Sequence, residues 1–133
     1  MYRWIIAIAC LMGAGAVVLG ALGAHAFRGW MSQHAFESYS TAVHYLMIHA
    51  VAILAASRMK GSDEGNRFLE IGMMGLVVGT LVFSGGLVGW TVGEWRWARR
   101  CAPWGGTILI LAWLSLAIAA LRERGMKAGQ LKG

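Results

Sequence analysis

The 133-residue chain is 58% hydrophobic and only 14% charged, with a mean hydropathy of +0.59 and a formal charge of +6. That balance excludes an ordinary soluble domain of this length and points to a bilayer as solvent. The positive charge needs no nucleic acid, because basic residues beside apolar runs are retained by anionic lipid head groups.

The first uncharged run covers residues 4–27 and meets the roughly 20 residues that a helix needs to cross about 30 Å of hydrocarbon. Arg3 followed by an apolar run resembles the start of a secretory signal, and Ala7-Ile8-Ala9-Cys10 resembles a lipoprotein cleavage site. The stretch before Cys10 is too short for a signal core and the run continues to Phe27, so a membrane span is expected. Ala9, Gly13, Ala16, Gly20 and Gly23 alternate steps of three and four and form one face of small residues. Such faces permit close helix approach in lipid.

A helix over 33–57 is expected next, with Ser32 as its N-cap. At 100° per residue His34, Glu37, Thr41, His44, Tyr45 and His49 share one face, which should meet other helices, a cavity or a partner. His25 should lie at a depth similar to His44. Three readings of these groups stay open. The imidazoles hydrogen-bond between helices. Alternatively they hold a group: His25 and His44 a haem, His25, His34, Glu37 and His44 a metal ion, or His25, His44, Tyr45 and His49 a haem or quinone. Proton transfer is the third. There is no Cys-x-x-Cys-His, His-Glu-x-x-His or phosphate-binding glycine loop, so no cofactor is expected.

The third span, 70–93, carries Gly72, Gly75, Gly79, Val82, Gly86, Gly89 and Gly93 at alternating steps of three and four, a second face almost without side chains. The packing residues expected are Gly13, Ala16, Gly20, Gly23, Gly72, Gly75, Gly79 and Gly86. The groove between these faces could alternatively hold a lipid chain or a flat ring. The fourth span, 103–121, should start at Pro103, tolerated in a first helical turn, with Cys101 in the loop before it. A basic tail occupies 122–133. Trp4, Trp30, Trp90, Trp95, Trp97 and Trp104 cluster near span ends, as interfacial anchoring predicts, whereas Trp113 sits mid-span.

With Met1 cytoplasmic, the inner side carries Arg3, Arg58, Lys60, Arg67, Arg122, Arg124, Lys127 and Lys132, and the outer side Arg28, Arg96, Arg99 and Arg100. Eight against four places both termini in the cytoplasm. A shift of 66 residues sets Gly13, Gly20 and Gly23 on Gly79, Gly86 and Gly89, which suggests a two-plus-two helix repeat.

Gly20-Ala21-Leu22-Gly23-Ala24-His25, Phe36, Ala42-x-x-Tyr45-x-x-x-His49-Ala50, Phe83-Ser84-Gly85-Gly86-Leu87 and Pro103-x-Gly105-Gly106 resemble, in order, the signatures of the membrane family called domain of unknown function 423, related to transmembrane protein 256. The resemblance covers about residues 1–121. It implies a four-span protein of a bacterial inner membrane or a mitochondrion, brings no activity, cofactor or catalytic residue, and singles out His25, Tyr45, His49 and Ser84. The expectation is therefore one all-α domain, a four-helix integral membrane bundle. It should be a non-enzymatic accessory or interaction subunit of a membrane complex, or a homo-oligomer. The alternatives are a haem- or quinone-binding redox subunit and a small oligomeric transporter.

Overall fold

The computed structural model describes residues 2–59 and 66–130, with side chains over 3–59 and 66–122. The basic residues Lys60 and Lys132, and the side chains of Arg124 and Lys127 in the tail, lie outside that description. Four α-helices follow one another: α1 (Tyr2–Leu22), α2 (Gln33–Ala56), α3 (Arg67–Thr91) and α4 (Arg96–Gln130). Each is long and apolar enough to span a membrane. The main interfaces are α1–α2, α2–α3 and α3–α4, with a minor contact between α1 and α3.

Helix α1 does not stop at Leu22 but widens into a π-helical segment, Gly23–Phe27, closed by Arg28 N–H on the Gly23 carbonyl at 3.1 Å. Tyr39 of α2 packs against the first residue of this segment. Tyr39 is buried, its hydroxyl donates to the Leu19 carbonyl at 2.6 Å, and a Cβ on Gly23 would lie 2.7 Å from its ring. Glycine leaves the space that the ring fills. Single π turns occur within α-helices in this way, continuing the helix with a shifted hydrogen-bond register.

Ser32 caps α2 by accepting Ala35 N–H at 3.2 Å. Asn66 precedes α3 but makes no cap bond; its amide instead donates to the Ala119 carbonyl at 3.3 Å and ties the start of α3 to the far end of α4. At the other end of that pair Trp95 N–H reaches back six residues to the Gly89 carbonyl, with Glu94 at φ 54° in the position that glycine usually fills.

The fourth helix corrects the expected boundary. It begins at Arg96, so Pro103 sits inside the helix rather than in its first turn, and Cys101 is helical, its thiol within 3.8 Å of the Trp97 carbonyl. Proline removes only the bond to Arg99, and the extra turns are held by packing: Ala98 and Ala102 are buried against Gly86 and Gly89 of α3. Buried positions on α4 then run Ala98, Ala102, Gly105, Leu109, Ala112, Leu116 and Ala119, alternating four and three.

This stripe faces the glycines of α3. A Cβ on Gly72 would lie 2.6 Å from Leu116 Cδ2, on Gly75 2.8 Å from Ala112 Cβ, on Gly79 3.0 Å from Leu109 N, and on Gly86 2.7 Å from the Ala98 carbonyl. On α1 the distances are ordinary, 3.9 Å from Gly13 to Ala50 and 3.7 Å from Gly20 to Val43, although Ala16 is buried. The two halves that a 66-residue shift would equate therefore pack differently. The core that joins them includes Ile5, Ala9, Met12, Ile53, Leu69, Met73 and Leu76. Ser84 Oγ donates to the Ala42 carbonyl at 2.8 Å and Ser115 Oγ to the Phe68 carbonyl at 2.7 Å, while the hydroxyl of the fully buried Thr80 has no partner among the described residues.

Candidate functional site

The polar face of α2 divides into two. Tyr45 and His49 line a lateral groove walled by α2 and α4 and floored by α3, and His34, nearer the helix start, meets Trp90 of α3. The other half carries Glu37, Thr41 and His44, all exposed and none lining that groove.

His49 is buried at 5% exposure, and both its ring nitrogens are used. Nδ1 lies 2.7 Å from the Tyr45 carbonyl one turn back, and Trp113 Nε1–H donates to Nε2 at 3.3 Å. A carbonyl can only accept and an indole N–H can only donate, so the two bonds fit one neutral tautomer, with its proton on Nδ1. The Nε2 lone pair is thereby occupied and not open to a metal. Tyr45 stacks on Phe83 at 4.5 Å and 30°, and its ring centroid is 5.4 Å from that of His49. With Ile48, Pro103, Gly106, Thr107, Leu109, Ile110 and Trp113 these groups bound a groove of ≈ 570 Å³. The Thr107 hydroxyl is committed to the Pro103 carbonyl at 3.0 Å. The groove is thus an apolar slot with aromatic walls, suited to holding an apolar or flat molecule.

The same face continues toward the end of the bundle where α3 and α4 join. On α4 the residues Arg99, Pro103, Gly106, Ile110 and Trp113 follow at steps of four and three, and on α3 Phe83 and Trp90 are two turns apart. Arg99 lies over the Trp90 ring at 4.7 Å from guanidinium carbon to centroid, and His34 meets that ring edge-on at 5.9 Å. Trp90, Arg96, Arg99 and Arg100 bound a smaller, polar hollow of ≈ 370 Å³. A separate apolar groove of ≈ 540 Å³ lies across α3, lined by Leu19, Leu46, Leu81, Gly85, Val88 and Trp95 among others.

The other histidines are not assembled as a ligand set. His25 is exposed on the π segment. His44 is exposed near the middle of α2, its Nδ1 3.0 Å from the Ser40 carbonyl. Helix register sets Gly23 against Tyr39 and Gly20 against Val43, so His25 is level with residues 37–38 and is offset from His44 by nearly two turns, about 10 Å along the axis. Glu37 accepts from Gln33 Nε2 at 3.1 Å, and His34 lies against Trp90. Among the described residues no three His, Cys, Asp or Glu side chains gather where they could hold a metal ion, so the quartet His25, His34, Glu37 and His44 is not brought together. The expected depth match of His25 and His44 fails because Gly23, two residues before His25, is already level with Tyr39, five residues before His44.

Sequence reasoning reached Tyr45 and His49 but missed Trp113, Phe83 as a stacking floor, and the Trp90–Arg99 pair. The spacing of Arg99, Pro103, Gly106, Ile110 and Trp113 was the available signal. It disappears when the helix is taken to start at Pro103.

A family described as protein of unknown function (DUF423) matches residues 19–106. A UPF0382 membrane protein of Haemophilus influenzae is 29% identical over 119 residues, covering 90% of this chain and 94% of its own length. Another from Staphylococcus epidermidis is 30% identical over 112 residues, covering 83% and 88%, and one from Schizosaccharomyces pombe is 29% identical over 119 residues, covering 84% and 96%. No solved structure matches the chain.

Proposed function

The chain belongs to the DUF423 family of multi-pass membrane proteins, and on that premise we propose that it works without catalysing a reaction, as an accessory or interaction subunit that docks to another membrane protein or to a second copy of itself. The observation that carries this reading is His44. It stands near the midpoint of a membrane-spanning helix, on the outward surface, with Nδ1 engaged by its own helix and no protein partner for Nε2 among the described residues. An unpaired polar atom in hydrocarbon is costly, of order 2–7 kcal/mol before partial compensation. Intramembrane imidazoles face cavities or partners for that reason. Thr41 and Glu37, one and two turns away on the same exposed face, extend the polar stripe toward the helix start. The leucine- and valine-rich exterior of α1 bears no such group over Val17 and Val18 and suits lipid.

The reading places the protein in the bacterial inner membrane with both termini cytoplasmic, following the distribution of basic residues. Its test is the mass of the particle released from native membranes by a mild detergent. Wild-type protein should emerge in a complex larger than one 14.3 kDa chain. His44→Leu should release the monomer, and His44→Gln, which keeps a donor and an acceptor, should retain the complex in large part. A monomeric wild-type particle, or a His44→Leu complex as stable as wild type, would overturn the proposal.

A further inference from the structure

The groove between α2 and α4 and the arginine hollow beyond it lie on one face, in the order that an amphiphile would need. We propose that together they form a binding site for one anionic phospholipid of the surrounding bilayer, its phosphate on Arg96, Arg99 and Arg100 and one acyl chain in the slot below.

Charge gives the head-group end. Between residues 91 and 102 three arginines face a single acid, Glu94, which sits in the turn ahead of α4. Glu37, the nearest acid on α2, lies on the outward half of that helix and is bonded to Gln33. Arg99 is held in place by its contact with Trp90, so one guanidinium is pre-positioned rather than free to sweep. Guanidinium forks match phosphate oxygens, and a tryptophan beside them is at home at head-group level.

Shape gives the chain end. Pro103, which lines the slot, is one turn below Arg99, and the slot continues to Trp113. Arg99 to Ile110 is about 16 Å along α4, close to the thickness of one leaflet, half of about 30 Å. The walls are apolar or aromatic, Thr107 is satisfied internally, and Gly106 keeps the slot open: a Cβ there would reach no nearer than 3.9 Å to Phe83, so any larger side chain would extend into the space. The ≈ 540 Å³ groove on the other side of α3 has no cationic group in its lining, which is why the lipid is assigned to this face.

The test offers the purified protein equal amounts of phosphatidylglycerol and phosphatidylcholine and reads bound lipid by native mass spectrometry. Wild type should prefer the anionic lipid by about tenfold or more. The triple variant Arg96→Gln, Arg99→Gln, Arg100→Gln should lose that preference, while Arg28→Gln, a cation at the same end but outside the hollow, should keep it. Gly106→Phe should reduce retention of both lipids, with helix content by circular dichroism confirming that each variant is folded. Equal wild-type binding of the two lipids would overturn the site, as would a preference that survives in the triple variant and so belongs to the basic tail. Competition by inorganic phosphate alone would show an anion site rather than a lipid site, and unchanged retention by Gly106→Phe would remove the chain from the slot.

Discussion

His49 shows how far a single residue can be read from its neighbours. Its burial followed from the polar face of α2, and its i−4 carbonyl partner is local. Its second partner, Trp113, is 64 residues away and was not legible, because a lone tryptophan in an apolar helix carries no mark of which helix it meets. The pairing predicts an ordered series. His49→Leu should cost about 1–3 kcal/mol in unfolding from detergent micelles, because it strips the indole N–H of its acceptor, and His49→Gln should recover part of that loss. At the exposed His25 the same two substitutions should differ little, since neither partner nor burial is at stake. Equal losses for Gln and Leu at position 49 would show that the Trp113 bond contributes nothing. Thr80 gives the opposite sign. Its hydroxyl is fully buried with no acceptor among the described residues, so Thr80→Val should leave stability unchanged or raise it by up to about 1 kcal/mol, read by the same unfolding assay.

At the scale of the helix, hydropathy found all four elements, and glycine periodicity marked a face of α3 that lies against α4. The same periodicity in the first span marks a tight contact only at its end, where Gly23 meets Tyr39, and not at Gly13 or Gly20. A run of small residues states that a neighbour can approach, not that it does, and the distances from Gly13 and Gly20 leave room for a methyl group. Proline marks no boundary at the start of α4, because the alanines before it, Ala98 and Ala102, are packed against α3 and sustain the helix. Two substitutions separate tight from open glycines. Gly79→Leu should lose about 1–3 kcal/mol because its Cβ meets backbone at Leu109, while Gly85→Leu, whose Cβ meets nothing within 4 Å, should be close to neutral. Equal stability of the two would remove the packing role from the α3 stripe. In the turn between α3 and α4, Glu94→Gly should stabilise by up to about 1 kcal/mol, since it relieves the left-handed backbone of a non-glycine residue; a loss of stability would show that the carboxylate is itself used there.

The assembled molecule carries information that no single helix does. Lipid-facing and core-facing sides of these helices are both apolar, so the order of packing, and with it the lateral groove, could not be read from the chain. The division of the α2 polar face into a groove-facing and an outward-facing half arises only once α3 and α4 are in place. Orientation in the bilayer rests on charge: reporter fusions at residue 62 and after Gly133 should both read cytoplasmic, and a periplasmic signal at either would invert the molecule. The docking role of the outward α2 face is tested most directly by disulfide or bifunctional cross-linking in native membranes, from a single cysteine at Val51, which shares the exposed side with His44, against one at Val17 on the exterior of α1, with Cys10 and Cys101 replaced. Val51→Cys should give one discrete higher-mass species, a dimer of the chain or a defined partner adduct, that His44→Leu abolishes, and Val17→Cys should give none. No adduct from position 51, or equal adducts from both positions, would contradict a docking surface on α2.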